Sequence, residues 1–484
     1  MSASIVKNVK TIAMELESVL GSDRLEAWEQ LSTPMQRWLR RGIKPDIGPD
    51  IDLNTLKTKA PAGVITPHSR EELAQLMTVA AREKWRVMPM GSGTKLGWGQ
   101  GRSPIDVVVK CDRLQQVVER DPGDLTISVE AGMTLGVLQR ELASHNQFLP
   151  LDPNYPEQAT MGGIVATADS GSLRQGFGGV RDMLLGIEFV RPDGERSQAG
   201  GKVVKNVAGY DLMKLFTGAY GTLGIISRLT WRVYPIPDCW QSLVITGDRD
   251  ALAQLTQQVL GSPLTPVAWD WNQCGNQCGN QFSTAEVSGL DKLEGLVQDF
   301  PPNAPWLAGR FASVTASTNA QVKWVTEQAI ALGLTVQVLR GSEDQQLWRE
   351  LRTAIAPPVT PETLENQEDS IQGKLAVIAD QVPTLLKTVQ DKLPGAIVQI
   401  RGGSGLGKIY CPPATVTESC VEGLKHLRHT CETHRGFLSI LNAPSRLKSQ
   451  LDPWGYLGQG QPMAIALRDR FDPHRLINPN CFIV

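Results

Sequence analysis

The stretch Pro89–Gly101, PMGSGTKLGWGQG, places five glycines among thirteen residues, with a lysine and a tryptophan between them. Glycine reaches φ > 0 and lets another group approach the main chain closely. Such a cluster is therefore either a set of turns or a cradle whose backbone N–H groups can hold an anion such as a phosphate. It is not a Rossmann fingerprint, because Gly91, Gly93 and Gly97 lead into GQGRSPIDVVVK rather than into a helix. It is not a Walker loop either, since Lys95 comes too soon and no Ser or Thr follows it. A second segment, LPLDPNYPEQATMGGIVATADSGS, brings a proline-rich approach and then small residues from Thr160 to Gly171, which would let a large flat ligand lie against the backbone. A third, KVVKNVAGYDLMKLFTGAYGTLGIIS, ends in Gly221–Ile226. Three such segments, each at a strand end, point to a ligand cradle rather than to coincidental turns. The cysteines are scattered: Cys274 and Cys278 form a C-x3-C pair inside NQCGNQCGNQ with no second pair or histidine nearby. That is a polar repeat in a loop and not the spacing of a metal or iron–sulfur site.

The elements that must position these segments follow from periodicity. AGVITP is a short strand, SREELAQLMTVAAREK a helix with Ser69 as its N-cap, and WRVMPM a strand that runs directly into the first glycine cluster. IDVVVK, LTISVEAG, a helix over 134–145, GIEFVRPDGE with a hairpin turn at Asp193-Gly194, and GTLGIISRLTWRVYP complete residues 56–236. Over 237–442 the rhythm changes to strands SLVITG, LTVQVLR, AIVQIR and FLSIL, with helices near 250–260, 318–332, 381–393 and 414–433, an α+β pattern with an antiparallel sheet. Ile5, Val9, Ile12, Leu16 and Val19 give residues 1–55 a helical stripe that could cover the core or a partner, and 443–484 form a helical tail stopped by prolines.

The 484 residues predict two or three domains, and 41% hydrophobic with 20% charged residues is ordinary globular composition. Lys+Arg 48 against Asp+Glu 50 gives a net −2, which argues against nucleic acid as a partner. No apolar run approaches the roughly 20 residues of a membrane span, and the N-terminus lacks the order of a secretion signal, so a cytoplasmic protein is expected.

In their order, PMGSGT, DLTISVEAGMTLGVLQREL, LPLDP…TMGG, GFGGVRDMLLGIEFVRPDGE, NVAGYDLMKLFTGAYGTLGII and FDPHRLINPN resemble the FAD-binding oxidoreductases of the vanillyl-alcohol oxidase type, most nearly the FAD-binding subunit of glycolate oxidase. The resemblance implies an α+β fold. A two-part FAD-binding domain (56–236) would carry a ferredoxin-like, antiparallel substrate or cap domain (237–442), and the C-terminal segment (443–484) would return to the FAD domain. It implies that Gly91, Ser92, Gly93, Thr94, Lys95 and Leu96 hold the FAD pyrophosphate through backbone N–H groups. Thr160, Gly162 and Gly163 would line the flavin and ribityl region, Gly224 and Ile226 would touch the cofactor through main-chain groups, and Pro153 would shape the approach to the flavin. Covalent relatives carry a histidine where Thr94 stands, so FAD is expected to be non-covalent. Related D-2-hydroxy acid dehydrogenases carry a histidine-rich metal motif where this chain has VQIRGGSGLGKIY, so no catalytic metal is expected.

Oxidising a 2-hydroxy acid requires a hydride acceptor, a base for the hydroxyl proton and a cation for the carboxylate. Arg401 is the candidate clamp, against a plain strand-end arginine, and His434 the candidate base, against a histidine that only satisfies terminal helix carbonyls. His426 and His429, three apart on a helix, are a surface face, and Trp98 packs either over the flavin or in the core. The resemblance implies an FAD-dependent subunit oxidising glycolate or D-lactate. Electrons would pass to an iron–sulfur subunit beside a related flavin subunit, with any membrane association arising through those partners. A non-catalytic FAD-holding or assembly subunit, or a sugar-lactone or alcohol oxidase, is the alternative.

Overall fold

The computed structural model describes every residue except 1–8, 18, 42, 44–59, 103–104, 203–208, 275–289, 298–300, 302–303, 359–368, 449, 456–457, 459 and 483–484. Ile5, Cys278 and most of the NQCGNQCGNQ repeat therefore lie outside the described residues.

Two sheets build the half that carries the glycine loop. The first has four strands in the order Leu25–Ala27, Gly63–Ile65, Val107–Lys110, Val87–Met90, the outer N-terminal pair antiparallel and the others parallel. Val107, Val108 and Val109 are all buried, as parallel strands covered on both faces must be. One face receives helix Arg70–Glu83 through Leu73, Leu76, Met77 and Ala80, together with Ile12 and Leu16 of helix Val9–Glu17. Ser69 caps the longer helix by accepting from the Glu72 N–H at 3.0 Å. The other face is filled by Trp28, Trp38 and Leu39 of the N-terminal segment. The second sheet is antiparallel, with five strands ordered Val117–Asp121, Thr126–Glu130, Ile225–Arg232, Leu184–Val190, Arg196–Gly200.

Tyr234–Pro235 and Gln147–Phe148 pair as a small two-stranded sheet, and the largest sheet is antiparallel and eight-stranded, ordered Thr335–Arg340, Cys239–Thr246, Trp306–Ser313, Ala268–Cys274, Ile397–Arg401, Leu406–Cys411, Ile371–Ala376, Phe437–Asn442. Strand side chains alternate between faces, and that alternation decides the site. Trp269, Trp271, Val398, Ile400, Ile409, Ile371 and Leu375 pack under helices Arg249–Leu260, Thr315–Ala331, Val382–Lys392 and Ser419–Thr433. Their neighbours in sequence, Asp270, Arg401, Lys408, Gln372 and Lys374, must then point to the opposite face, toward the glycine-rich half. The two halves share one buried cluster, in which Met161, Ile164 and Val165 meet Ala268, Trp306 and Tyr410.

The C-terminal segment closes onto the first sheet. The Val87 N–H donates to Leu476 O at 2.7 Å and the Asn478 N–H donates to Val87 O at 2.9 Å. Asp472 fixes that turn by accepting from the Leu476 and Ile477 N–H groups at 2.9 and 2.7 Å.

Candidate active site

A cavity lies where the three glycine-rich segments converge. Its wall includes all of Gly91–Leu96, with Thr160, Gly162, Gly163, Gly224 and Ile226. At two positions the loop tolerates no side chain. Gly93 sits at φ +82°, and a Cβ there would come within 2.3 Å of Trp38 Nε1; a Cβ on Gly91 would come within 2.1 Å of Thr160 Oγ1. The loop and the start of helix Met161–Thr167 are thus pressed together, with Thr160 Oγ1 accepting from the Gly163 N–H at 3.3 Å. Arg102 and Asn478 brace the loop from behind: Arg102 Nε donates to Asn478 Oδ1 at 2.8 Å and Nη1 to Leu96 O at 2.9 Å.

Backbone amides on one side and Ala131, Ile225 and Ile226 on another suit a ligand with both a phosphate and an apolar ring, which is what FAD presents. Thr94 is in the wall, and no histidine lines the cavity among the described residues. Cys111 is there too, but burial, with Asp112 adding to it, pushes its thiol up to about 12, far from a reactive thiolate. These surroundings suit a non-covalently held cofactor.

Against this wall lies a buried charge cluster that the sequence did not disclose. Asp169, fully buried, pairs with Lys95 Nζ at 3.0 Å and Lys408 Nζ at 3.2 Å, and accepts from the Asn154 N–H at 2.9 Å. Lys408 Nζ also donates to Asn154 Oδ1. Lys374 Nζ donates to Thr167 O at 2.8 Å and Ala168 O at 3.5 Å. Lys374 and Lys408 stand directly opposite each other in the sheet register, a like-charge pair that a sheet alone disfavours. Burial would push the Asp169 carboxyl up, but Lys408, Lys95 and Lys374 together outweigh it and hold it well below the usual carboxylate range. Burial drives Lys374 down to about 7, Lys408 and Lys95 repelling its charge while Asp169 opposes. The signal available beforehand was phase: Gln372 and Lys374 in IQGKLA, and Lys408 in LGKIYC, are polar residues alternating with buried apolar ones.

The other expected site residues fall elsewhere. Arg401 is buried, and its fork is engaged by the glycine-rich half: Nε donates to Gly171 O and Nη2 to Ser170 O, both at 2.7 Å. It clamps the two halves and is not among the cavity-lining residues. His434 ends helix Ser419–Thr433, its N–H donating to Thr430 O at 3.2 Å and Cys431 O at 3.1 Å, away from the cavity wall. A glycine-rich strand end suggested the role of Arg401, whose carbonyl partners account for its position, and the helix end at His434 was the argument against a base there. Pro153 does not line the cavity, whereas its neighbour Asn154 joins the Asp169 cluster. His426 and His429 are exposed. Trp98 is buried beneath the amines of Lys95 and Lys374, 5.5 and 5.3 Å from its ring centroid. Among the described residues no group of His, Cys, Asp or Glu is arranged to hold a metal ion, and no helix is long and apolar enough to cross a membrane.

Residues 61–200 match the family described as FAD binding domain. The chain is 32% identical over 213 residues to the glycolate oxidase subunit GlcD of Bacillus subtilis (strain 168), covering 44% of this chain and 45% of that one. It is 36% identical over 174 residues to the glycolate oxidase subunit GlcE of Escherichia coli (strain K12), covering 36% of this chain and 49% of that one. The chain thus spans about half the length of these curated relatives. In fold it is similar to the 4-ethylphenol oxidase from Gulosibacter chungangensis, with TM-score 0.70 and 15% identity over 99% of this chain and 97% of that one.

Proposed function

We propose that this chain, which carries the FAD-binding domain of the vanillyl-alcohol oxidase type, is a subunit that oxidises a small 2-hydroxy acid such as glycolate or D-lactate. The observation that carries this reading is the amine-rich cluster at the join of the cap sheet and the glycine-rich half, in which Lys95 and Lys408 are buried, Lys374 is partly buried and Lys95 reaches the cavity wall. Three amines around one carboxylate leave an excess of positive charge, which suits an anionic substrate. Bound FAD supplies a two-electron acceptor. The chain's own part is to hold FAD through the Gly91–Leu96 backbone and the start of helix Met161–Thr167, to seat the cap through Arg401, and to keep the amines of Lys95 and Lys408 fixed on Asp169. The similarity to two different glycolate oxidase subunits supports work inside an assembly; the partners in this reading are a related flavin subunit and an iron–sulfur subunit that carries the electrons onward.

The test is an anaerobic absorbance titration of the FAD-loaded protein with a panel of 2-hydroxy acids. Bleaching of the flavin band by glycolate or D-lactate is expected. A band untouched by every acid, with or without partner subunits, would favour an FAD-holding subunit and end this reading.

A further inference from the structure

The reading above leaves the hydroxyl proton without an acceptor, since His434 lies at a helix end. We propose that Lys374 is that acceptor: its Nζ, set against the cavity wall by Thr167 O and the Trp98 ring, takes the hydroxyl proton of a 2-hydroxy acid bound in the cavity. The proposal rests on the 2-hydroxy acid reading.

Place comes first. Lys374 stands one residue behind the cavity lining: its Nζ is 2.8 Å from the carbonyl oxygen of Thr167, which lines the cavity, and 5.3 Å from the Trp98 centroid. Protonation comes second. Lys95 and Lys408 each have Asp169 within ion-pair distance, whereas Lys374 has no carboxylate that close among the described residues. The charged groups facing it are Asp169, which attracts, and Lys408, Lys95 and Arg401, which repel; with burial as the largest influence its amine falls to about 7. A neutral amine can still donate one N–H to Thr167 O while its lone pair stays available. A base poised near neutrality is what proton abstraction at physiological pH asks for. The amines of Lys95 and Lys408 are instead committed to the Asp169 carboxylate.

The step balances. The hydroxyl proton passes to Lys374 Nζ, converting –NH2 to –NH3+. Bound FAD would accept the hydrogen of the hydroxyl-bearing carbon with its electron pair as the C–O bond becomes C=O. The substrate loses two electrons, and the ammonium returns its proton to solvent.

The experiment compares wild type with Lys374→Met, near in shape, and Lys374→Arg, permanently charged. The rate of anaerobic flavin bleaching is followed from roughly pH 6 to 9, and binding of the 2-oxo acid product is read from its perturbation of the oxidised flavin spectrum. Wild type is expected to gain rate with pH through a midpoint near the amine's value of about 7. Both variants should lose about 10²–10⁴-fold in rate together with that limb and bind the oxo acid within a few-fold of wild type. Variant rates within a few-fold of wild type, or oxo-acid affinity falling as far as the rate, would overturn the assignment. Where neither variant retains FAD, the wild-type profile decides, and a flat profile between pH 6 and 9 overturns it. A wild type that no 2-hydroxy acid bleaches removes the functional reading and this inference together; a bleached wild type with equally fast variants removes the inference alone.

Discussion

The glycine loop and the lysine cluster meet at Lys95, whose main chain belongs to one and whose amine belongs to the other. They are built by opposite means. The loop works through absent atoms: Gly91 and Gly93 leave room that Thr160 and Trp38 occupy, and the cradle is main chain over a few consecutive residues. The cluster works through atoms brought from far apart, with Asn154 and Asp169 on one half meeting Lys374 and Lys408 on the other. Local steric demands govern the first and charge balance across an interface governs the second, so different substitutions should break them.

The largest effect is expected at the loop. Gly93→Val places a β-branched residue at φ +82° and drives its Cβ into Trp38. Bound FAD should be lost, measured as flavin absorbance per chain after purification in excess FAD, while the far-ultraviolet circular dichroism stays near wild type. Equal loading of the variant would remove the loop from the cofactor site.

A smaller effect is expected at the cluster. Asp169→Asn removes the counter-charge shared by Lys95 and Lys408, and breaking a buried pair in this way costs about 3–5 kcal/mol, read by denaturant unfolding at neutral pH. The sign with pH follows from the lowered folded-state value of this carboxyl. Its contribution is complete above the ordinary Asp value of about 4 and declines on acidification toward the lower folded value, so wild type and variant should converge below about pH 4. A difference below 1 kcal/mol at neutral pH, or one that does not shrink in acid, would mean that the amines find another partner.

The same contrast explains what could be read from the chain. Glycine demands are local, so the three glycine-rich segments stood out as strand-end motifs, and the residues that the family resemblance picked out within them, Gly91–Leu96, Thr160, Gly162, Gly163, Gly224 and Ile226, all line the cavity. The cap sheet was legible as alternating apolar strands between amphipathic helices, although Ala268–Cys274, Trp306–Ser313, Ile371–Ala376 and Leu406–Cys411 were not distinguished. Asp169 and Lys408 were not legible, because 239 residues separate them and only the register of the eight-stranded sheet brings them together. Arg401 was noticed for its glycine-rich strand end. Its buried fork answers to two carbonyls 230 and 231 residues away, which no local pattern reports.

The central claim is that the cavity holds FAD through backbone and packing, with no covalent bond at Thr94 or Cys111. Acid precipitation of purified protein, followed by flavin analysis of pellet and supernatant, tests it most directly. One FAD per chain in the supernatant over a colourless pellet is the predicted result. Flavin retained in the pellet, or a colourless protein that added FAD does not reconstitute, would contradict it.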